Sequence, residues 1–121
     1  VLIHLAGRAL RSGLEEMVAA APHPSGSFPH LSEGLCATYD LSRPPMDRVV
    51  SVSVGGVPLV DTQIYRLAIS EFYVRSEGDN VLSFQEPVVA DHGVVIFACV
   101  EAYLKQVGTV SGTPPGRFTM V

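Results

Sequence analysis

The sequence contains a single lysine, Lys105, and its few arginines are scattered over 121 residues that carry a net charge of −4. It therefore lacks the basic stripe that would neutralise a phosphate backbone, and we expect no nucleic-acid partner. The sequence also lacks any apolar run of membrane-spanning length. Its opening apolar run ends before Arg8, which is too short for the core of a signal peptide.

Cysteine is scarce, and motifs for metal or nucleophilic chemistry are lacking. Cys36 and Cys99 lie far apart and fit no metal-ligand spacing, so we expect two buried free thiols, with a disulfide as the alternative. The sequence has no HExxH, CxxC, GxSxG or phosphate-loop motif. We predict that Asp91, followed by His92, caps a helix and binds no metal. The motifs alone indicate a binding domain with no cofactor and no catalytic residues of its own.

Hydrophobic residues make up 47% of the chain and charged residues 17%, which predicts one folded domain over residues 1–121. In residues 49–54, Val50, Val52 and Val54 alternate with serines, which predicts a half-buried strand. The Gly55-Gly56 pair that follows predicts a hairpin turn. Further strands are predicted at residues 1–5, 35–40, 57–60 and 64–70, with a short added strand in the C-terminal tail.

Two main helices complete the predicted α+β domain, in which hairpins build a mixed or antiparallel sheet. The first helix, within residues 8–21, has apolar residues at helical spacing, and we expect Glu15 and Glu16 on its solvated face. The second, within residues 90–108, has Lys105 in its last turn and Gly108 as its end. Its expected core face consists of Val95, Cys99, Ala102 and Tyr103.

Two phenylalanines adjoin predicted loops. Phe28 lies in a segment rich in proline and glycine, and Phe72 lies in "SEFYVRSEGDNV", residues 70–81. Two facing rings would clamp a planar heterocycle, because stacking on an aromatic face contributes about 1–3 kcal/mol per base. Asp79 would then accept hydrogen bonds from ribose hydroxyls. The alternative is that Phe28 packs in a satellite cluster and Phe72 in the main core.

The order of motifs along the chain resembles that of a known family. An opening strand and helix precede a Gly-x-Phe turn, and a valine-rich hairpin and an "AYL" run follow at their expected places. Together these features resemble the C-terminal domain of the 5′-nucleotidase family, which includes ecto-5′-nucleotidase and the bacterial UDP-sugar hydrolases. The residues that carry the resemblance are Phe28, Tyr39-Asp40, Ser42-Arg43-Pro44-Pro45, Arg48-Val49, Tyr65, Phe72, Gly78-Asp79, residues 102–104 and Gly116-Arg117.

The resemblance implies a function and the residues for it. In that family the C-terminal domain binds the nucleoside between two phenylalanines, which correspond to Phe28 and Phe72, and an acid corresponding to Asp79 holds the ribose. A separate N-terminal metallophosphoesterase domain supplies two divalent metal ions and a His–Asp pair. The isolated chain would therefore hydrolyse nothing. Family members suggest a secreted, periplasmic or cell-surface location.

The sequence departs from the family pattern near Phe72. Glu71 stands where the family has asparagine, and "SEGDNV" replaces a "GGDGY" run with one extra residue before Asp79. Ser76 and Glu77 also tolerate positive φ angles less well than glycine. By the resemblance, a family segment that contacts base and phosphate would precede Val1, so we expect an N-terminally incomplete domain that tends to self-associate.

Three functions remain open at this point. The first is the specificity domain of a metal-dependent phosphoesterase that converts nucleoside monophosphates to nucleoside and phosphate. The second is a non-catalytic interaction module with a degenerate pocket. The third is a related phosphoesterase acting on UDP-sugars or dinucleotides.

Overall fold

The computed structural model describes residues 1–75, 88–110, 112 and 116–121. Two sheets and three helices make up this part of the chain. In chain order the elements are β1 (Leu2–Ala6), α1 (Gly7–Val18), β2 (Leu35–Tyr39), β3 (Val49–Val54), β4 (Val57–Pro58), β5 (Ile64–Ala68), α2 (Phe72–Arg75), β6 (Val88–Ala90), α3 (Ile96–Val107) and β7 (Phe118–Met120).

The sheets confirm the predicted α+β class. One sheet has the order β5-β1-β6 with both pairs antiparallel. The other has the order β4-β3-β2-β7, in which β7 lies parallel to β2 and the remaining pairs are antiparallel. Helix α1 contacts β1 in one sheet and β3 in the other. The core therefore lies around α1, and it consists of Ile3, Leu5, Leu10, Leu14, Val18, Ala37, Val49, Val52 and Leu59.

The β3–β4 hairpin forms as predicted, but the residues of β3 that face the core are not the alternating Val50, Val52 and Val54 of the prediction. Gly55 and Gly56 both have positive φ angles, 60° and 79°, as a two-residue hairpin turn requires. The register of β2 against β3 shifts between Thr38 and Tyr39. This β-bulge turns Val50 outward, so that Val49 and Val52 face the core.

Helix α1 buries a carboxylate that the sequence analysis placed in solvent, so that prediction is wrong. Glu15 is only 7% exposed. Its two carboxylate oxygens accept hydrogen bonds from the backbone N–H groups of Arg48 and Val49, each at 2.8 Å. Glu15 lies at the edge of the apolar stripe, and these two donors satisfy a charge that would otherwise be costly to bury. Its neighbour Glu16 is exposed, as predicted.

Arg48 is buried beside the C-terminal end of α1. Its Nη1 group donates hydrogen bonds to the carbonyl oxygens of Val18 at 2.9 Å, Ala19 at 3.0 Å and Ala21 at 2.7 Å. Its Nε group donates to the carbonyl oxygen of Arg43 at 3.2 Å. The last carbonyl groups of a helix have no partners within the helix, and a cation there also favours the helix dipole. Arg48 therefore caps α1 from the position just before β3.

Helix α3 differs from its prediction at its start and in its packing. It begins at Ile96, with Val95 in the N-cap position, whereas the Asp91 carboxylate accepts a hydrogen bond from the Gly93 N–H at 2.9 Å. Asp91 is thus no helix cap. The predicted end is confirmed, since Gly108 follows the helix with a φ angle of 74°.

None of the residues of α3 is buried, so its predicted core face is wrong. Helical spacing shows which residues share a face, but it does not show whether another element covers that face. Both cysteines are free, and both are exposed, in contrast to the expectation of buried thiols. Cys36 alternates along β2 with the buried Ala37, and Cys99 lies on α3.

We predict that Gly7→Ala destabilises the fold. A Cβ atom at Gly7, where β1 leads into α1, would collide with the backbone carbonyl of Val60. Because the obstacle is backbone, the main chain must move, at a cost of about 1–3 kcal/mol. Urea unfolding of the chain measures the loss. Gly26→Ala is the control, since a Cβ there meets nothing within 4 Å, and equal stability of the two variants would contradict the prediction.

We also predict that Glu15→Gln destabilises the chain much more than Glu16→Gln. The amide of glutamine keeps one acceptor oxygen and presents an N–H₂ group to the second backbone donor at Arg48 or Val49. Leaving a buried donor unsatisfied costs about 1–3 kcal/mol, whereas a change at an exposed position stays within about 0.5 kcal/mol. The midpoints of urea unfolding compare the two variants, and similar midpoints would show that the buried carboxylate contributes little.

Candidate functional site

Phe28 is held by a tight local turn and by two other rings. The N–H of Phe28 donates to the carbonyl oxygen of Ser25 at 3.3 Å, and the hydroxyl groups of Ser25 and Ser27 lie 2.6 Å apart. The half-buried ring packs edge-to-face on Tyr39 and Phe118, with centroids 5.9 and 5.6 Å away. Tyr39 and Phe118 stack on each other at 4.8 Å. We call Phe28, Tyr39 and Phe118 the aromatic cluster.

Phe72 is the first residue of the short helix α2 and is 61% exposed. The turn around it is set by hydrogen bonds from the Tyr73 N–H to the Ser70 carbonyl at 3.1 Å and from the Val74 N–H to the Glu71 carbonyl at 3.0 Å. The Phe72 and Tyr73 rings form a T-shaped pair, with centroids 5.5 Å apart and an interplanar angle of 80°. Phe72 therefore presents a large apolar surface shortly after the β5 strand.

Two adjoining cavities lie beside these phenylalanines. Phe28 lines a largely apolar cavity of about 520 Å³ between α1, the loop at residues 27–32 and the segment after β5. Phe72 lines a second cavity of about 650 Å³, together with Val1, Asp91 and the residues that lead into α3. Both cavities include Ile69, Ser70 and Ile96 in their walls.

The predicted site residues are thus placed as follows. Phe28 belongs to the aromatic cluster at the edge of the core and to the first cavity, and Phe72 belongs to the second cavity. Neither ring lines the cavity of the other. Asp79 lies outside the described residues. The parallel clamp of two rings with a carboxylate at its rim remains a prediction.

The structure also adds residues that the sequence analysis did not propose. Ser70, Glu71 and Asp91 line the Phe72 cavity and place polar side chains beside its apolar residues. Phe118 contacts Phe28 because β7 pairs with β2, with Phe118 opposite Ala37 in the register. Parallel pairing between residues so far apart in sequence has no local signature. The sequence indicated only that the short apolar end of the chain would form an added strand, and it did not indicate which strand would pair with it.

The motif at residues 40–45 forms a turn with a structural role. The Ser42 N–H donates to Asp40 Oδ1 at 2.8 Å, and the Arg43 guanidinium lies 3.7 Å from the same carboxylate. Hydrogen bonds from Ser42, with a smaller contribution from Arg43, hold the pKa of Asp40 below its ordinary value of 3.8. Asp40 is therefore an anion at neutral pH and orders the turn that leads to Arg48.

Within the described ranges, no group of three or more histidine, cysteine, aspartate or glutamate residues could hold a metal ion. The residues present there therefore do not fit a metal centre. The helices of residues 1–75 and 88–110 are also too short to cross a membrane.

Comparison with known proteins identifies the family. The sequence model of the 5′-nucleotidase C-terminal domain matches residues 1–86. The chain belongs to this family. The match includes Phe28, Phe72 and the Glu15–Arg48 region, whereas α3 and β7 lie beyond it.

Individual relatives extend the similarity along this 5′-nucleotidase-family domain. A 5′-nucleotidase of Diplobatis ommata is 28% identical over 129 residues, which cover 99% of the chain and 22% of that protein. The crystal structure of a 5′-nucleotidase precursor from Thermus thermophilus is 30% identical with a TM-score of 0.87, and the match covers 99% of this chain and 24% of that one. The sulfate thiohydrolase SoxB of Thermus thermophilus, in complex with glycerol, shares the fold at 24% identity and a TM-score of 0.62, over 99% of this chain and 22% of its own. The chain thus spans about a quarter of the length of these relatives.

Proposed function

We propose that residues 1–121 are the nucleoside-binding specificity domain of a metal-dependent 5′-nucleotidase-like phosphoesterase. The full-length protein hydrolyses nucleoside monophosphates to nucleoside and phosphate. Its two divalent metal ions and its catalytic residues belong to an N-terminal metallophosphoesterase domain, and the domain described here contributes substrate binding alone. The observation that carries the proposal is the family match, which contains both phenylalanines.

The geometry supports a role for Phe72 as a stacking surface. Its ring is 61% exposed, although burial of so large an apolar side chain would be favourable. It stands beside a 650 Å³ cavity, within the size range of small-molecule sites. A base stacked on this ring removes apolar surface from water at little cost in side-chain entropy, since phenylalanine has only two rotatable side-chain bonds.

Phe28 contributes from the adjoining cavity. Edge-to-face contacts with Tyr39 and Phe118 fix the plane of its ring before any ligand arrives. A ring fixed in advance loses little freedom on binding, which favours affinity. In the proposal, the heterocycle occupies the space where the two cavities meet, near Ser70, and Asp79 accepts hydrogen bonds from the ribose hydroxyls.

We predict that Phe72→Ala and Phe28→Ala each raise the KM for nucleoside monophosphates in the full-length protein. Loss of one stacking face costs about 1–3 kcal/mol, or roughly a 5- to 150-fold increase. The value of kcat should change much less, because in the proposal neither ring touches the phosphate. Steady-state kinetics with several nucleoside monophosphates measure both constants and the base preference.

Phe97→Ala is the matched control for Phe72→Ala. Phe97 is an equally large and still more exposed ring on α3, and it lines neither cavity. We expect the Phe97→Ala variant to have the same KM as the unmodified protein. If the variants at 28 and 72 also leave KM unchanged while the protein is active, nucleoside stacking is ruled out, and an interaction module with a degenerate pocket becomes the better interpretation.

A further inference from the structure

The loop that carries Phe28 is fixed at both ends by arginines from distant parts of the chain. At its start, Arg48 Nη1 donates a hydrogen bond to the carbonyl oxygen of Ala21 at 2.7 Å. At its end, Arg117 Nη1 donates to the carbonyl oxygen of Leu31 at 3.1 Å. The Phe28 loop, residues 22–30, thus lies between two guanidinium anchors.

Arg48 and Arg117 differ in the contacts that they make besides those with the loop. Arg48 also caps α1 and is only 8% exposed, so its removal would disturb the core. Arg117 is half-buried, and its side chain bonds the carbonyl of Leu31, 86 positions away in sequence. Its own carbonyl oxygen accepts a hydrogen bond from the Ala37 N–H at 2.8 Å, which fastens Arg117 to β2 through the backbone. The guanidinium therefore projects from a fixed point of the second sheet to the loop.

Phe118, which follows Arg117, contacts the same loop. Phe118 packs against Phe28 with centroids 5.6 Å apart, and it stacks on Tyr39. Arg117 thus holds the backbone at the end of the loop through Leu31, and the adjacent Phe118 holds the Phe28 ring. Both residues lie outside the part of the chain that the family model matches.

We propose that Arg117 is a positioning residue for substrate recognition, and that it acts by holding the Phe28 loop against β7. The proposal rests on the proposed function, since Phe28 is the residue through which Arg117 would affect a nucleoside. Arg117 itself lines neither cavity. Its effect on binding must therefore pass through the loop.

The first experiment is a double-mutant cycle in the full-length protein. Arg117→Met keeps an unbranched apolar side chain and removes the hydrogen bond to Leu31. We expect a KM for nucleoside monophosphates that is about three- to tenfold higher, roughly what the net contribution of one typical intramolecular hydrogen bond corresponds to, with little change in kcat. In a Phe28→Ala background the same substitution should leave KM unchanged, because the ring that it positions is gone.

Two further variants separate positioning from general destabilisation. Arg117→Lys keeps a cationic donor and should recover part of the lost affinity. Arg66→Met, at an exposed arginine on β5 that lines neither cavity, should leave KM unaltered. An increase in KM that persists in the Phe28→Ala background would overturn the proposal, as would an unchanged KM in Arg117→Met when Phe28→Ala alone raises it.

The second experiment tests the position of the ring independently of activity. In protein with ¹³C-labelled phenylalanine rings, the Phe28 signals are assigned by their loss in Phe28→Ala. Arg117→Met should shift these signals and leave core methyl signals, such as those of Ile3 and Leu5, in place. Unmoved Phe28 signals would overturn the proposal. If the signals move but neither Phe28→Ala nor Phe72→Ala has an effect on KM, the nucleoside function fails while the structural anchoring by Arg117 stands.

Discussion

The structure depends on a reciprocal exchange of hydrogen bonds between α1 and β3. Glu15 of α1 accepts hydrogen bonds from the backbone N–H groups of Arg48 and Val49, and Arg48, which directly precedes β3, donates to the carbonyl groups at the end of α1. Taking two charged groups out of water is expensive unless their polar atoms are satisfied. In the described residues, no buried side-chain nitrogen or oxygen lacks a partner. The exchange therefore joins α1 to the chain at residues 48 and 49 from both sides, and it holds the carbonyl groups where the chain leaves α1.

The contact between α1 and the residues at the start of β3 also positions the candidate site. Arg48 holds the Ala21 carbonyl as well as the helix end, so the loop toward Phe28 starts from a fixed point. The turn at Asp40 and Ser42, with Arg43 alongside, leads the chain from β2 back to Arg48. Among the residues that carry the family resemblance, those at positions 40–48 thus serve to build the scaffold. In the proposed function, recognition is left to the phenylalanines, whose rings the scaffold presents at adjoining cavities.

Local sequence patterns predict the elements well, because period, turn glycines and helix spacing are local properties. The Gly55-Gly56 hairpin and the end of α3 at Gly108 are examples. The errors concern relations between distant segments. The donors that allow Glu15 to be buried lie 33 and 34 residues away, and no described element covers the apolar face of α3. For the site, the sequence suggests two rings beside loops, but the contact of Phe28 with Phe118 depends on parallel pairing between the second strand and the last.

The parallel pairing of β2 with β7 explains why Arg117 and Phe118, near the end of the sequence, contact the loop at residues 22–30 and its flanking residue Leu31. A phenylalanine on an unanchored loop would sample many positions, and each position excluded before binding lowers the entropic cost of recognition. Here the loop closes against β7, which occupies the edge of the second sheet and places Arg117 and Phe118 side by side. An edge strand so short contributes little to the core, and Met120 within it is exposed. Its contacts with the Phe28 loop give the strand a role that core packing alone would not require.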